Sequence, residues 1–125
     1  MGMRRYDVDV TTDGAGAATV FSPTVRGAVH TVQYIKDGGA NPFANGVDWV
    51  ISDDITGEAI WTGTDVNASI IIRPRANSHD TVGAVRLYVA AGTNVPTEIY
   101  VSGRIKIVVA QGGATKVGKF RFIVG

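Results

Sequence analysis

The strongest constraint on the fold is the alternation of apolar and polar side chains in the last quarter of the chain, 103–125. A two-residue repeat puts one set of side chains on each face, which is typical of a strand with one buried face. The intervening segment 111–116 contains a Gly-Gly pair that allows a chain reversal. The sequence therefore predicts a long C-terminal β-hairpin over 103–125. Its inward residues are expected to be Ile105, Ile107, Val109, Phe120, Phe122 and Val124.

Similar short runs recur along the whole chain and are separated by turn-forming residues, whereas no segment shows a convincing helical stripe. The first two runs are expected to pair as a hairpin, and the run of three isoleucines at 70–72 is expected to be buried on both faces. The length of 125 residues fits one domain. We therefore predict an all-β single domain over 1–125, an antiparallel β-sandwich or barrel of about eight or nine short strands. Further predicted strands lie at 4–12, 17–21, 25–36, 47–52, 58–62, 67–73 and 85–90.

Composition narrows the functional classes. Cysteine is absent, which argues against disulfides and thiolate chemistry. No apolar run approaches the ~20 residues that a membrane helix needs, and the start of the chain lacks the apolar core of a secretory signal. We expect no contact with a membrane.

The charge is unevenly distributed although the net charge is only +1. Residues 1–65 carry four basic and nine acidic side chains, for a net charge of −5, whereas residues 66–125 carry eight basic and two acidic ones, for +6. Such asymmetry arises when one domain pairs its own halves, or when copies of one chain meet head to tail. The sequence leaves both explanations open.

Two motifs resemble catalytic or nucleotide sites. Residues 113–119 match the first seven positions of a phosphate-binding loop, but Phe120 replaces the Ser or Thr that binds magnesium, and a strand is predicted where a helix is needed. Ser78, His79 and Asp80 have the residue types of a hydrolase triad, yet three adjacent residues cannot easily converge on one another. We interpret both segments as loops and predict no enzyme activity and no cofactor.

The sequence gives only weak indications of a metal, nucleic-acid or sugar site. Five carboxylates crowd the region 48–65 without the spacing of a calcium loop, so a solvated acidic face is expected, with calcium as the alternative. The basic strand at 117–124 should turn Phe120 and Phe122 toward the core, which argues against nucleic-acid binding. Trp49 and Trp61 could stack on sugar rings, although aromatic residues on strands more often belong to the core.

Several segments together resemble small structural proteins of tailed bacteriophages, in particular head decoration (cement) proteins. The segments are FSP at 21–23, VRG at 25–27, YIKDGG at 34–39, GVDW at 46–49, GRIKIVVAQGG at 103–113 and FRF at 120–122. The resemblance implies a virion component on the capsid exterior, made in the bacterial host cytoplasm. Its partners would be the major capsid protein and copies of itself in a homo-oligomer such as a trimer. A tail or head–tail component, or a receptor- or glycan-binding virion module, is the alternative.

For such a protein, the contact surfaces are expected in the acidic segment 48–65, in the basic C-terminal hairpin and in the glycine-rich loop 37–46. Phe43 lies in this loop and either tucks back onto the core or makes an exposed contact, in which case it is the candidate anchor. The residues predicted to form this interaction surface are Phe43, Asp53, Asp54, Arg104, Lys106, Lys116, Lys119 and Arg121.

Overall fold

The computed structural model describes residues 2–125, and every regular element in that range is a β-strand. The strand pairings are antiparallel throughout. The predicted all-β antiparallel fold is therefore confirmed, with eleven strands where about eight or nine were expected. The strands are β1 (Arg4–Thr11), β2 (Ala18–Phe21), β3 (Val25–Lys36), β4 (Val47–Asp53), β5 (Ala59–Val66), β6 (Ile70–Ile72), β7 (Ala76–Asn77), β8 (Pro96–Thr97), β9 (Ile99–Gly103), β10 (Ile105–Ala110) and β11 (Val117–Val124).

Two larger sheets share one core. The five-stranded sheet has the order β1-β11-β3-β6, with β9 also paired to β3, and the four-stranded sheet has the order β2-β10-β4-β5. Aromatic side chains join the sheets, since Trp49 of β4 lies 4.7 Å from Tyr34 of β3 and 5.0 Å from Phe120 of β11, measured between ring centroids. Offset and edge-on aromatic pairs of this kind add to the stabilisation from burial. The architecture is thus a sandwich of two sheets with an aromatic cluster between them.

The predicted inward faces are confirmed. Along β10 and β11 the buried residues alternate with half-buried or exposed ones, and the same alternation occurs in the C-terminal half of β1. Burying one such side chain contributes about 1.5–3 kcal/mol, so these rows supply much of the core. The buried apolar side chains of these three strands are Val8, Val10, Ile105, Ile107, Val109, Phe120, Phe122 and Val124.

The predicted C-terminal hairpin is wrong, although both of its strands exist. β10 pairs with β2 and β4, whereas β11 pairs with β1 and β3, so the two strands lie in different sheets. The connection 111–116 carries the chain from one sheet to the other, with positive φ at Gln111, Gly113 and Thr115. An alternating pattern specifies which face is buried but not which strand lies alongside, and the core of a sandwich accepts either connection.

The predicted hairpin between the first two strands is wrong for the same reason, because β1 and β2 also belong to different sheets. The two crossing connections, 12–17 and 111–116, lie side by side. The Gly112 amide donates to the Gly16 carbonyl at 2.9 Å. The buried Thr12 hydroxyl donates to the Gly113 carbonyl at 2.6 Å and accepts from the Lys116 amide at 2.8 Å. Each connection thereby satisfies polar groups that the other leaves unpaired.

Two further strand predictions need correction. The isoleucine run forms a strand as expected, the three-residue β6, but it is not buried on both faces, since Ile70 and Ile71 are 43% and 50% exposed at the edge of the five-stranded sheet. The predicted strand 85–90 does not form, and the segment makes only isolated bridges. Strand propensity reflects packing against a neighbour, and neither segment has a complete one.

Tyr34 leads to a prediction about alkaline pH. Burial raises the pKa of its hydroxyl from 10.0 to about 12, and the Asp37 carboxylate adds to the shift. The unfolded chain loses this proton first, so the stability that neutral Tyr34 contributes is complete below about pH 10 and is lost as the pH rises toward 12. We expect the unfolding free energy to fall across that window by on the order of 1–3 kcal/mol more than in Tyr34→Phe. Urea unfolding of both proteins at stepped pH measures the difference, and superimposable profiles would contradict it.

Candidate interaction surface

Phe43, the predicted anchor, is not on the surface. It is 2% exposed, and its ring stacks on Tyr34 with centroids 5.9 Å apart and the planes 2° from parallel. The ring also covers Gly118, where an added Cβ would lie 2.5 Å from the Phe43 Cε2 atom. Loop 37–46 therefore folds back and closes one end of the core. The prediction of Phe43 as a contact residue is wrong, because a glycine on β11 leaves room for the ring.

Asp53, another predicted contact residue, is also buried. Its carboxylate accepts hydrogen bonds from the amides of Ile55 and Thr56, at 2.8 and 3.2 Å, and so shapes the turn between β4 and β5. Its role is structural, as expected of an Asp at the start of a turn. Asp54 remains accessible but is engaged by Arg104 at 2.9 Å.

The predicted basic surface is divided. Lys119 and Arg121 project from the outer face of the five-stranded sheet, where they alternate with buried phenylalanines. Lys106 projects from the outer face of the four-stranded sheet, and Arg104 lies over the Phe21 ring at 4.1 Å on the same side. Lys116 lies in the connection between the sheets. Because β10 and β11 belong to opposite sheets, these side chains do not form one surface.

Much of the charge asymmetry is neutralised within the chain. Arg121 donates to Asp7 at 2.9 Å, and this hydrogen bond holds the pKa of the Asp7 carboxyl below its usual value. Arg104 donates to Asp54, and the Lys119 amine lies 3.9 Å from the Asp9 carboxylate. Each pair joins the acidic first half of the chain to the basic second half. Pairing within one domain therefore accounts for part of the asymmetry.

The motifs that suggested chemistry have structural roles. The Ser78 hydroxyl donates to the Val95 carbonyl at 2.8 Å, and the Asp80 carboxylate accepts from the amides of Val82 and Ala84. Both groups therefore bond to the main chain and not to His79. Lys119, the lysine of the partial phosphate-loop motif, lines a surface depression of about 360 Å³ together with Asp9 and Asp37. Those carboxylates disfavour a phosphate.

No three His, Asp or Glu side chains within 2–125 come close enough together to hold a metal ion. The same range contains no helix suited to crossing a membrane.

The two tryptophans considered for sugar stacking pack against each other and against the core. Trp49 is buried, and Trp61 packs against it edge-on, with centroids 5.0 Å apart. Among the aromatic residues described, Tyr88 and Tyr100 are instead the most exposed, at 66% and 68%. A stacking contact on this protein would therefore involve tyrosines that lie away from the core.

The most unusual surface is an excursion that we call the arm, residues 76–97, which begins at β7 and ends at β8. These two strands pair only with each other. Every residue from 79 to 94 is exposed. Large apolar side chains are normally the first to be buried, and a contiguous exposed group of them marks a contact site. The exposed large apolar residues of the arm are Val82, Val85, Leu87, Tyr88 and Val89.

Main-chain hydrogen bonds give the arm a defined fold without a core. The Arg86 amide donates to the Ser78 carbonyl, and the Val95 amide donates to the Arg86 carbonyl, both at 2.9 Å. Two tight turns, at 80–84 and 88–93, complete it. The alternation of apolar and polar residues at 85–90 predicted a sheet strand there. The signal for an excursion was present in the turn-forming residues that flank this short apolar run on both sides.

Comparisons with known proteins do not assign the chain to a family. No family model matches it, and no curated protein matches it. One solved structure, described as "Crystal Structure of FLHE", aligns over 99% of this chain and 98% of its own, with 9% sequence identity and a TM-score of 0.45. A likeness at this level carries no inference about function.

Proposed function

We propose that this protein is a structural component of a bacteriophage virion, a capsid decoration (cement) protein. It would sit on the capsid exterior, associate with copies of itself and stabilise the head lattice through non-covalent contacts with the major capsid protein. The sequence resemblance supplies the virion setting. The observation that carries the proposal is the arm, a folded segment with five exposed large apolar side chains. Such a segment suits a protein whose work is to bind other proteins.

The rest of the fold is consistent with this role. The core contains a dense aromatic cluster, and ion pairs on the outer face of the five-stranded sheet link β1 to β11. A rigid sandwich of this kind can hold a contact element in place. In this proposal the chain acts by binding other proteins through its surface, and no reaction is assigned to it.

The exposed tyrosines favour a second candidate, a tail or head–tail component that binds a receptor or glycan. Tyr88 and Tyr100 present aromatic rings of the type that stack on sugars. In this case a glycan array should show binding that Tyr88→Ala or Tyr100→Ala removes while the fold is retained.

Cryo-electron microscopy of intact particles separates the two candidates. The decoration role predicts lattice-repeated copies of this chain over the capsid shell, and saturable binding of purified protein to capsids assembled without it. Density confined to the tail or to the portal vertex would overturn the decoration role and support the second candidate. Absence of the chain from the particle would overturn both.

A further inference from the structure

We propose that the arm of one copy docks on the outer face of the four-stranded sheet of a second copy. The inference rests on the proposed function, because that function requires the chain to self-associate. It names the two surfaces involved. The arm lies outside the acidic segment and the basic hairpin expected from the sequence, whereas the sheet face contains strands of both.

The first surface consists of the exposed apolar side chains of the arm. They range from 40% exposed at Leu87 to 86% at Val82, so they remain in contact with water in the monomer. The main-chain bonds described above order the backbone that carries these side chains. A pre-folded contact element loses less conformational entropy on binding than a disordered one.

The second surface is the outer face of the four-stranded sheet. The register places Thr19, Val108, Val50 and Thr62 in one row across β2, β10, β4 and β5. Phe21 lies in the next row. Phe21 and Val50 are 38% and 45% exposed. The solvent face of an antiparallel sheet is usually polar, so a row with valines at its centre suits an apolar partner.

The two surfaces also carry charges of opposite sign. Arg86 lies between Val85 and Leu87 in the arm and is exposed. It takes no part in the ion pairs found within residues 2–125. On the sheet face, Asp48 lies on the same side as Val50, and its carboxylate accepts from the Asp65 amide at 2.9 Å. Neither Asp48 nor Asp65 has a cationic partner among those ion pairs. The exposed arginine of the arm on one copy thus complements the Asp48 end of the valine row on the next, whereas Lys106 lies on the other side of that row.

Every copy carries both surfaces, so the contact is heterologous. Such contacts form closed rings when the rotation between copies closes. The arm alone offers five exposed large apolar side chains, whereas a typical stable interface involves about 20–30 residues on each side. In a ring each copy contributes its arm to one neighbour and its sheet face to the other, which doubles the area that it buries.

The test measures oligomeric state by sedimentation equilibrium over a range of concentrations. The arm variant is Leu87→Asp with Val89→Asp, and the face variant is Val50→Lys. Each should weaken self-association by about tenfold or more, because a charge replaces apolar contact area. Val50→Thr keeps the shape and strand preference of the residue and should weaken association to a smaller extent. Tyr100→Asp is the control, because it adds a charge at a site that is at least as exposed and lies outside both surfaces, and it should associate like the unaltered chain. Thermal unfolding confirms that each variant is folded.

Mixing the two variants provides the decisive result. The intact arm of the face variant should bind the intact face of the arm variant through a single contact. The mixture should therefore form one-to-one dimers that cannot grow, and it should do so at a lower concentration than either variant alone. If the face variant associates as well as the unaltered chain, or if the mixture associates no better than either variant alone, the arm does not bind this face and the inference is overturned. An unaltered chain that is monomeric in solution yet decorates capsids would overturn the inference and leave the proposed function standing. Self-association through these surfaces without capsid binding would support the inference and overturn the proposed function.

Discussion

Phe43→Ala is expected to lower the free energy of unfolding by about 3–5 kcal/mol, a large fraction of the stability of a domain of this size. The ring is buried, stacks on Tyr34 and covers Gly118. Its removal leaves a cavity at the end of the core, and the loop 37–46 loses its main apolar attachment. Chemical denaturation followed by tryptophan fluorescence measures the change.

Tyr88→Ala is the matched control, since it removes an aromatic ring of similar size from an exposed position. It should change the unfolding free energy by no more than about 0.5 kcal/mol. A loss below about 1 kcal/mol in Phe43→Ala would show that Phe43 is not a core residue. The original expectation of a surface anchor would then regain support.

Gly63→Ala should destabilise the fold by about 1–3 kcal/mol, a large effect for the addition of one methyl group. An added Cβ would lie 2.5 Å from Cε2 and 2.6 Å from Nε1 of Trp49. The indole cannot move aside, because it packs between Tyr34, Trp61 and Phe120. Its Nε1–H is also buried without a hydrogen-bond partner in the described part of the chain. The close approach of β5 at Gly63 therefore leaves no space for an added atom.

A double-mutant cycle tests this explanation. In a Trp49→Phe background the smaller ring removes the clashing atoms, so Gly63→Ala should cost less than in the unaltered chain, with a coupling of about 1 kcal/mol. Gly14→Ala is the control, because an added Cβ there meets nothing within 4 Å. It should change stability by less than about 1 kcal/mol in either direction. Equal costs of Gly63→Ala in the two backgrounds would refute contact with the indole as the cause.

Most strand positions were predictable because burial on one face is a local property of the sequence. The predicted limits of β3, 25–36, coincide with the observed ones, and the inward residues of β10 and β11 are those with the expected parity. The candidate site was much less predictable. For Phe43 the sequence left open an exposed contact and packing onto the core. The ring is buried because Gly118, about seventy-five residues away, has no side chain in its place.

The arm shows the opposite error. The alternation of Val85, Leu87 and Val89 is as regular as that of β10, but no strand lies beside it and the segment stays exposed. A run of alternating residues forms a sheet strand only if the fold brings a free strand edge to it. That condition depends on the whole chain and cannot be read from the run itself.

The sequence by itself determined that this protein is all-β, which residues of most strands face inward, and where most turns interrupt the chain. Those features depend on side-chain polarity and backbone preference within a few residues. Only the tertiary structure decided that β10 and β11 separate into different sheets, that their basic side chains lie on opposite faces, and that the strands of the arm join neither of the two larger sheets. The physical reason is that backbone hydrogen bonds are the same for any neighbouring strand, so the choice of neighbour depends on how the two sheets pack together.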